Sequence, residues 1–271
     1  MTKKIMVTLD GSPFAERALE FAADLAQQRQ AELSLVQVVP LQSEIPEGEE
    51  YLKQKSEALK AKRLECSTKV FLGSPAETIV EQSSKFDVIV MTSHGRSQFD
   101  QLILGSVAEK VIRKSSCPVL VLRERQVRLR DIKRVLVPLD GYELSQKAIP
   151  EAVKICRATG ATLVLGQVDE AVGVEIGLVS RDEEIQQMES HLSSVAESID
   201  DSISVETAFD FGSAARGLLR LIDRENIDLV VMTSHGRGGF NRWVCGSVAE
   251  NLLRLSMAPV LLVRAEDTER A

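Results

Sequence analysis

Val90-Met91-Thr92-Ser93-His94-Gly95-Arg96 is followed, eight residues later, by Gly105-Ser106-Val107-Ala108-Glu109. The same arrangement returns as Val231-Met232-Thr233-Ser234-His235-Gly236-Arg237 and, eight residues later, Gly246-Ser247-Val248-Ala249-Glu250. Each copy begins with a short apolar run rich in β-branched residues (Val88 to Met91; Leu229 to Met232), which reads as a buried parallel strand. Small residues and glycine end the run. The Ser-Val-Ala-Glu that follows has helical spacing, with Val107, Val111 and Ile112 in one copy and Val248, Leu252 and Leu253 in the other, so Gly105-Ser106 and Gly246-Ser247 open helices. The unit is strand, glycine loop, helix N-terminus. Free N–H groups, the positive end of a helix dipole and glycines that admit close backbone approach together suit a phosphate.

Outward from these copies, each half alternates strands with helices. Ile5 to Leu9 is a strand, Asp10-Gly11-Ser12-Pro13 a turn leading into an amphipathic helix, and Leu33 to Val39 a second strand. A charged helix over Tyr51 to Leu64 is expected to cover one sheet edge. Lys69 to Leu72, a helix opened by Gly73-Ser74-Pro75, the repeat itself and Val119 to Leu122 complete the half. The second half retraces these steps from Val135 to Val263. Asp10 and Asp140 lie 130 positions apart and His94 and His235 lie 141 apart, so eleven extra residues fall in between. Most are expected in Glu170 to Asp201, with about two in Asp223 to Asn226. The pattern predicts an α/β protein of two tandem five-stranded parallel-sheet domains, 1–124 and 133–266, joined by a charged linker at 125–132.

Composition narrows the function. With 44% hydrophobic residues the halves can each build a core, and a net charge of −7 argues against nucleic acid or an anionic membrane as partner. No stretch of about 18 apolar residues and no signal-like N-terminus is found, so a cytoplasmic protein is expected. Cys66, Cys117, Cys156 and Cys245 form no CxxC pair and read as core or incidental thiols. Walker, dinucleotide, zinc-protease, kinase and hydrolase motifs are absent.

The chain resembles the universal stress protein family, in tandem form. That family's domains are five-stranded, Rossmann-like and adenine nucleotide alpha hydrolase-like, and its nucleotide-binding branch carries Gly, two residues, Gly, nine residues, Gly, then Ser or Thr. The second and third glycines fall on Gly95 and Gly105, followed by Ser106, and on Gly236 and Gly246, followed by Ser247. Thr92 and Thr233 stand where the pattern has its first glycine. The resemblance implies that Asp10 and Asp140 sit by the adenosine and that Val38 and Val168 meet the adenine through backbone groups. Met91, Met232, Val107 and Val248, which flank the loop ends, and Arg96 and Arg237, which follow its glycine, complete the candidate site. It further implies ATP or a related adenine nucleotide as ligand, with or without Mg2+, and a fifth strand at the sheet edge. Val119–Leu122 and Val260–Val263 would then pair as an intramolecular pseudo-dimer, with further homodimerisation open.

Plainer roles stand beside these. The glycines also serve as turn punctuation, Ser106 and Ser247 as helix N-caps, and Asp10 and Asp140 as turn residues. His94 and His235 have no nucleophile placed for them by the sequence, and His191 reads as a surface residue. The expected function is nucleotide binding in a stress-response regulator, with no dedicated catalytic apparatus and weak ATP hydrolysis at most. A slow ATPase or phosphotransferase using the same loops, and a dimerisation module with vestigial sites, are the other readings. The loops differ between halves. Arg237-Gly238-Gly239-Phe240-Asn241-Arg242 keeps two more glycines and carries the cation Arg242 where Arg96-Ser97-Gln98-Phe99-Asp100-Gln101 has Gln101, next to the acid Asp100, which predicts tighter phosphate binding in the second half.

Overall fold

In the computed structural model the described residues are 3–93, 104–123, 128–169, 180–234 and 246–264. The chain divides into two compact units, Met1–Arg130 and Asp131–Ala271. The expected linker, 125–132, lies partly outside the described residues.

The first unit runs β1 (Lys4–Thr8), α1 (Glu16–Arg29), β2 (Glu32–Val39), α2 (Ile45–Ala61), β3 (Cys66–Leu72), α3 (Pro75–Gln82), β4 (Val88–Thr92), α4 (Ser106–Lys114) and β5 (Val119–Leu122). Its five described strands are all parallel, in the order β3-β2-β1-β4-β5. The central β1 and β4 are buried on both faces, which is why Ile5-Met6-Val7 and Val88 to Met91 are continuous apolar runs. α1 lays Ala18, Phe21, Ala22, Leu25 and Ala26 on β1 and β4.

Two elements differ from the sequence expectation. β3 begins at Cys66, three residues early, because within its unit it pairs only with β2 and its outer positions carry Ser67, Thr68 and Lys69. α2 begins at Ile45, six residues early. Pro46 and Glu47 occupy its first turn, where a missing N–H and an acidic side chain are favourable, so what resembles a loop is a helix start. Gly48 then packs against the sheet, where an added Cβ would lie 3.0 Å from Gln37 Oε1 and 3.3 Å from the Val70 methyls.

The second unit repeats the order with β6 (Arg134–Leu139), a short helix α5 (Glu143–Gln146), α6 (Ile149–Thr159), β7 (Thr162–Asp169), α7 (Arg181–Glu197), β8 (Val205–Phe211), α8 (Ala214–Arg224), β9 (Leu229–Thr233), α9 (Ser247–Leu255) and β10 (Val260–Val263). Its strands are parallel in the order β8-β7-β6-β9-β10. The shift between equivalent residues is 130 at Glu32 and Thr162, 139 at Cys66 and Val205, and 141 at Val88 and Leu229. The insertion is therefore divided as expected: mostly between β7 and β8, with two residues between the start of α8 and β9. Within it, α7 is held by a capping box in which Ser180 and Glu183 each bind the other's backbone N–H.

Candidate functional site

β1 ends at the centre of the sheet, and Asp10-Gly11 turns the chain toward α1. Gly11 has φ 86° and its counterpart Gly141 has φ 84°, the left-handed region that glycine enters at least cost. Asp10 Oδ1 accepts from the Ser12 N–H (2.9 Å) and hydroxyl (2.6 Å), and the Ser12 hydroxyl oxygen in turn accepts from the Ala15 N–H. Asp140 Oδ1 accepts from the Tyr142 N–H at 3.1 Å. Both aspartates thus organise a helix start, as the plainer reading expects, and a carboxylate oxygen can accept more than one hydrogen bond.

The loop ends are pinned alike in both units. The Ser93 N–H donates to the Leu122 carbonyl and the Gly105 N–H to the Ser93 carbonyl (2.8 Å); Ser234, Val263 and Gly246 repeat the pattern at 3.0 Å. These bonds bring the N-terminus of α4 or α9 back to the end of the strand before the loop. Gly105 and Gly246 stand at the N-cap position in extended conformation (φ −61°, ψ 144° and φ −60°, ψ 148°), which any residue adopts. Their lack of a side chain therefore gives access to the helix N-terminus rather than conformational relief.

In the first unit these ends open on a cleft of about 360 Å3. It is lined by Asp10 from the turn, Val38 from β2, Pro75 and Ile79 from α3, Met91, Thr92 and Ser93 from β4, and Gly105, Ser106 and Val107 from α4. Of the residues read from the sequence, Asp10, Val38, Met91, Thr92, Gly105, Ser106 and Val107 are brought together here. In the second unit Asp140, Met232, Thr233, Gly246, Ser247 and Val248 hold the equivalent places, while Val168 is buried at 7% exposure. Gly95, Arg96, Gly236 and Arg237, together with His94 and His235, lie outside the described residues.

Sequence reasoning passed over two features. Ser93, buried and cleft-lining, was legible only as a member of the repeat. Gln37 and Gln167 occupy the same register in β2 and β7, each with a buried Oε1 that has no hydrogen-bond partner among the described residues. A polar residue inside an apolar strand, in both halves, was the available signal. Beside the cleft, the Tyr51 hydroxyl donates to Glu16, which also pairs with Lys55 at 2.6 Å. Burial pushes the Tyr51 phenol well above its ordinary range, and the negative charges of Glu16 and, farther off, Asp10 add to the shift.

The family profile described as Universal stress protein family matches residues 1–123 and again 131–264. The chain belongs to that family. Among its relatives, a universal stress protein of Mycobacterium tuberculosis strain H37Rv is 28% identical over 305 residues, covering 96% of this chain and 94% of its own length. A second from the same strain is 28% identical over 211 residues, covering 75% and 70%. The crystal structure of a universal stress protein from Archaeoglobus fulgidus superposes with a TM-score of 0.78 at 22% identity, over 97% of this chain and 98% of that one, which places the fold as a tandem Rossmann-like pair. No helix among the described residues is long and apolar enough to cross a membrane, and no described cluster of three His, Cys, Asp or Glu residues is placed to hold a metal.

Proposed function

We propose that this universal stress protein binds ATP or a related adenine nucleotide and acts as a stress-response regulator with no dedicated catalytic apparatus. One observation carries the reading: a turn aspartate, the end of β2, the end of β4 and a glycine-opened helix N-terminus line a single cleft of about 360 Å3, within the usual range for small-molecule sites. An adenosine would lie between Val38 and Asp10, with Ile79 and Pro75 on its apolar side and the carboxylate accepting from ribose hydroxyls. The phosphates would point toward Gly105 and Ser106, where unsatisfied N–H groups and the helix dipole favour negative charge. Mg2+, where present, would arrive on the phosphates.

Binding regulates only by favouring one conformation or complex over another, so the nucleotide's role is a differential affinity. The reading places the protein in the cytoplasm, away from nucleic acid and membrane, consistent with a net charge of −7. It also keeps the pairing of the apolar fifth strands, Val119–Leu122 and Val260–Val263, as a proposal. Native mass spectrometry of the protein as purified, followed by calorimetric titration with ATP and magnesium, tests it. An adenine nucleotide is expected as a bound species or a saturable ligand; no binding of ATP, ADP, AMP or cyclic AMP at millimolar concentration would overturn it.

A further inference from the structure

The two units are built on one register, so their nucleoside ends can be compared residue by residue. The Gly73 N–H donates to Val39 and the Gly212 N–H to Asp169, the carbonyls that end β2 and β7. The first turns of α3 and α8 then match, with Thr78 N–H donating to Ser74 and Gly217 N–H to Ser213. Thr78 and Gly217 are thus equivalent, as are Val38 and Val168.

At this position the units part. A Cβ added to Gly217 would lie 2.5 and 2.8 Å from the two methyls of Val168 and 3.3 Å from its Cβ. Such distances are far inside van der Waals contact, so the α8 backbone rests directly on Val168. A threonine at 217 would not fit. In the first unit Thr78 carries that Cβ, and Val38 instead lines the cleft and is only half-buried. A second glycine repeats the effect one pleat away: Gly166, where the first unit has cleft-lining Val36, has its Cβ position taken by Leu136 Cδ1 at 2.6 Å with Leu221 Cδ1 at 3.5 Å. Glycines on β7 and α8 let helix and sheet close together, the protein's own aliphatic side chains take the places of the missing Cβ atoms, and Val168 is left 7% exposed where Val38 is half-buried and lines the cleft.

Resting on the nucleotide reading above, we infer that the nucleobase site exists in the first unit alone, so that the full chain takes up one adenine nucleotide and Val168, under Gly217, blocks the base in the second. This departs from the loop comparison, which favours the second half. Loop charge tunes phosphate affinity, whereas a filled base site removes the contacts of the base itself.

An ATP analogue bearing an azide at C8 of adenine reports where the base sits. Irradiated with the full chain, it is expected to label peptides of residues 3–130, in competition with ATP and with one nucleotide bound per chain. Equal labelling of both units, or labelling of 131–264 alone, overturns the inference and leaves the proposed function standing. Absence of any ATP binding overturns both. In the full chain Gly105→Val is expected to abolish binding; one nucleotide still bound at undiminished affinity also overturns the inference.

Discussion

The thiols show how placement sets chemistry at the scale of a residue. Cys156 on α6 is 1% exposed, and burial pushes its thiol up to about 12; burial raises Cys117 as well. Both are the inert core cysteines that their scatter in the sequence suggested, whereas Cys66 is half-buried and donates to the Ser56 hydroxyl. Cys245 lies outside the described residues. Because the folded state holds the Cys156 proton more tightly than the unfolded chain, its contribution to stability is complete below the ordinary thiol pKa. It is lost as pH rises from about 8.5 toward about 12, at about 1.4 kcal/mol per pH unit. Urea unfolding at pH 8 and pH 10 is expected to show Cys156→Ala losing about 2 kcal/mol less than the parent over that interval. Equal losses would show that the thiol is free to ionise in the folded protein.

Among elements, the contact of β7 with α8 has the sharpest requirement. Gly217→Ala must part helix from strand or displace Val168, a β-branched side chain with little rotamer freedom, so a cost of about 1–3 kcal/mol is expected. Val168→Ala removes the two methyls that the new Cβ would meet, so Gly217→Ala should cost much less in that background. A double-mutant cycle in urea measures this coupling, and additive losses would contradict the close approach. Gly48 on α2 faces a softer neighbour, the end of the flexible Gln37 side chain, which can swing aside. The two helices thus carry glycine for the same reason with different stringency.

For the whole molecule, two units with separate cores set the expectations. Each has its own five-stranded parallel sheet with helices packed on it. Short apolar runs such as Val119-Leu120-Val121-Leu122 and Val260-Leu261-Leu262-Val263 at the end of a strand order are hazardous when uncovered, since their backbone groups can pair with another chain. Separately expressed halves are therefore expected to fold and to associate, with themselves or each other, in sedimentation experiments. Halves that stay monomeric at high concentration would sink the proposed strand pairing.

The sequence alone determined the α/β class, the two-fold repeat, the division of the insertion and the helix over Ser106 to Lys114, because these rest on local signals: apolar period, turn residues and the equality of two stretches. It also named seven of the residues that line the cleft, since a strand–glycine–helix unit places its own ends together. Its errors were the start of α2, where a proline at a helix start looks like a loop, and the start of β3, where an edge strand has polar outer residues. That the two units pack differently where β2 meets α3 and β7 meets α8 emerged only from the three-dimensional arrangement. Thr78 against Gly217 and Val36 against Gly166 are unremarkable substitutions in a chain, and neither has a local signature. Their meaning depends on which side chain stands opposite, across a helix–sheet contact between residues far apart in sequence, and close packing makes a single missing Cβ there decide how near the helix can come to the sheet.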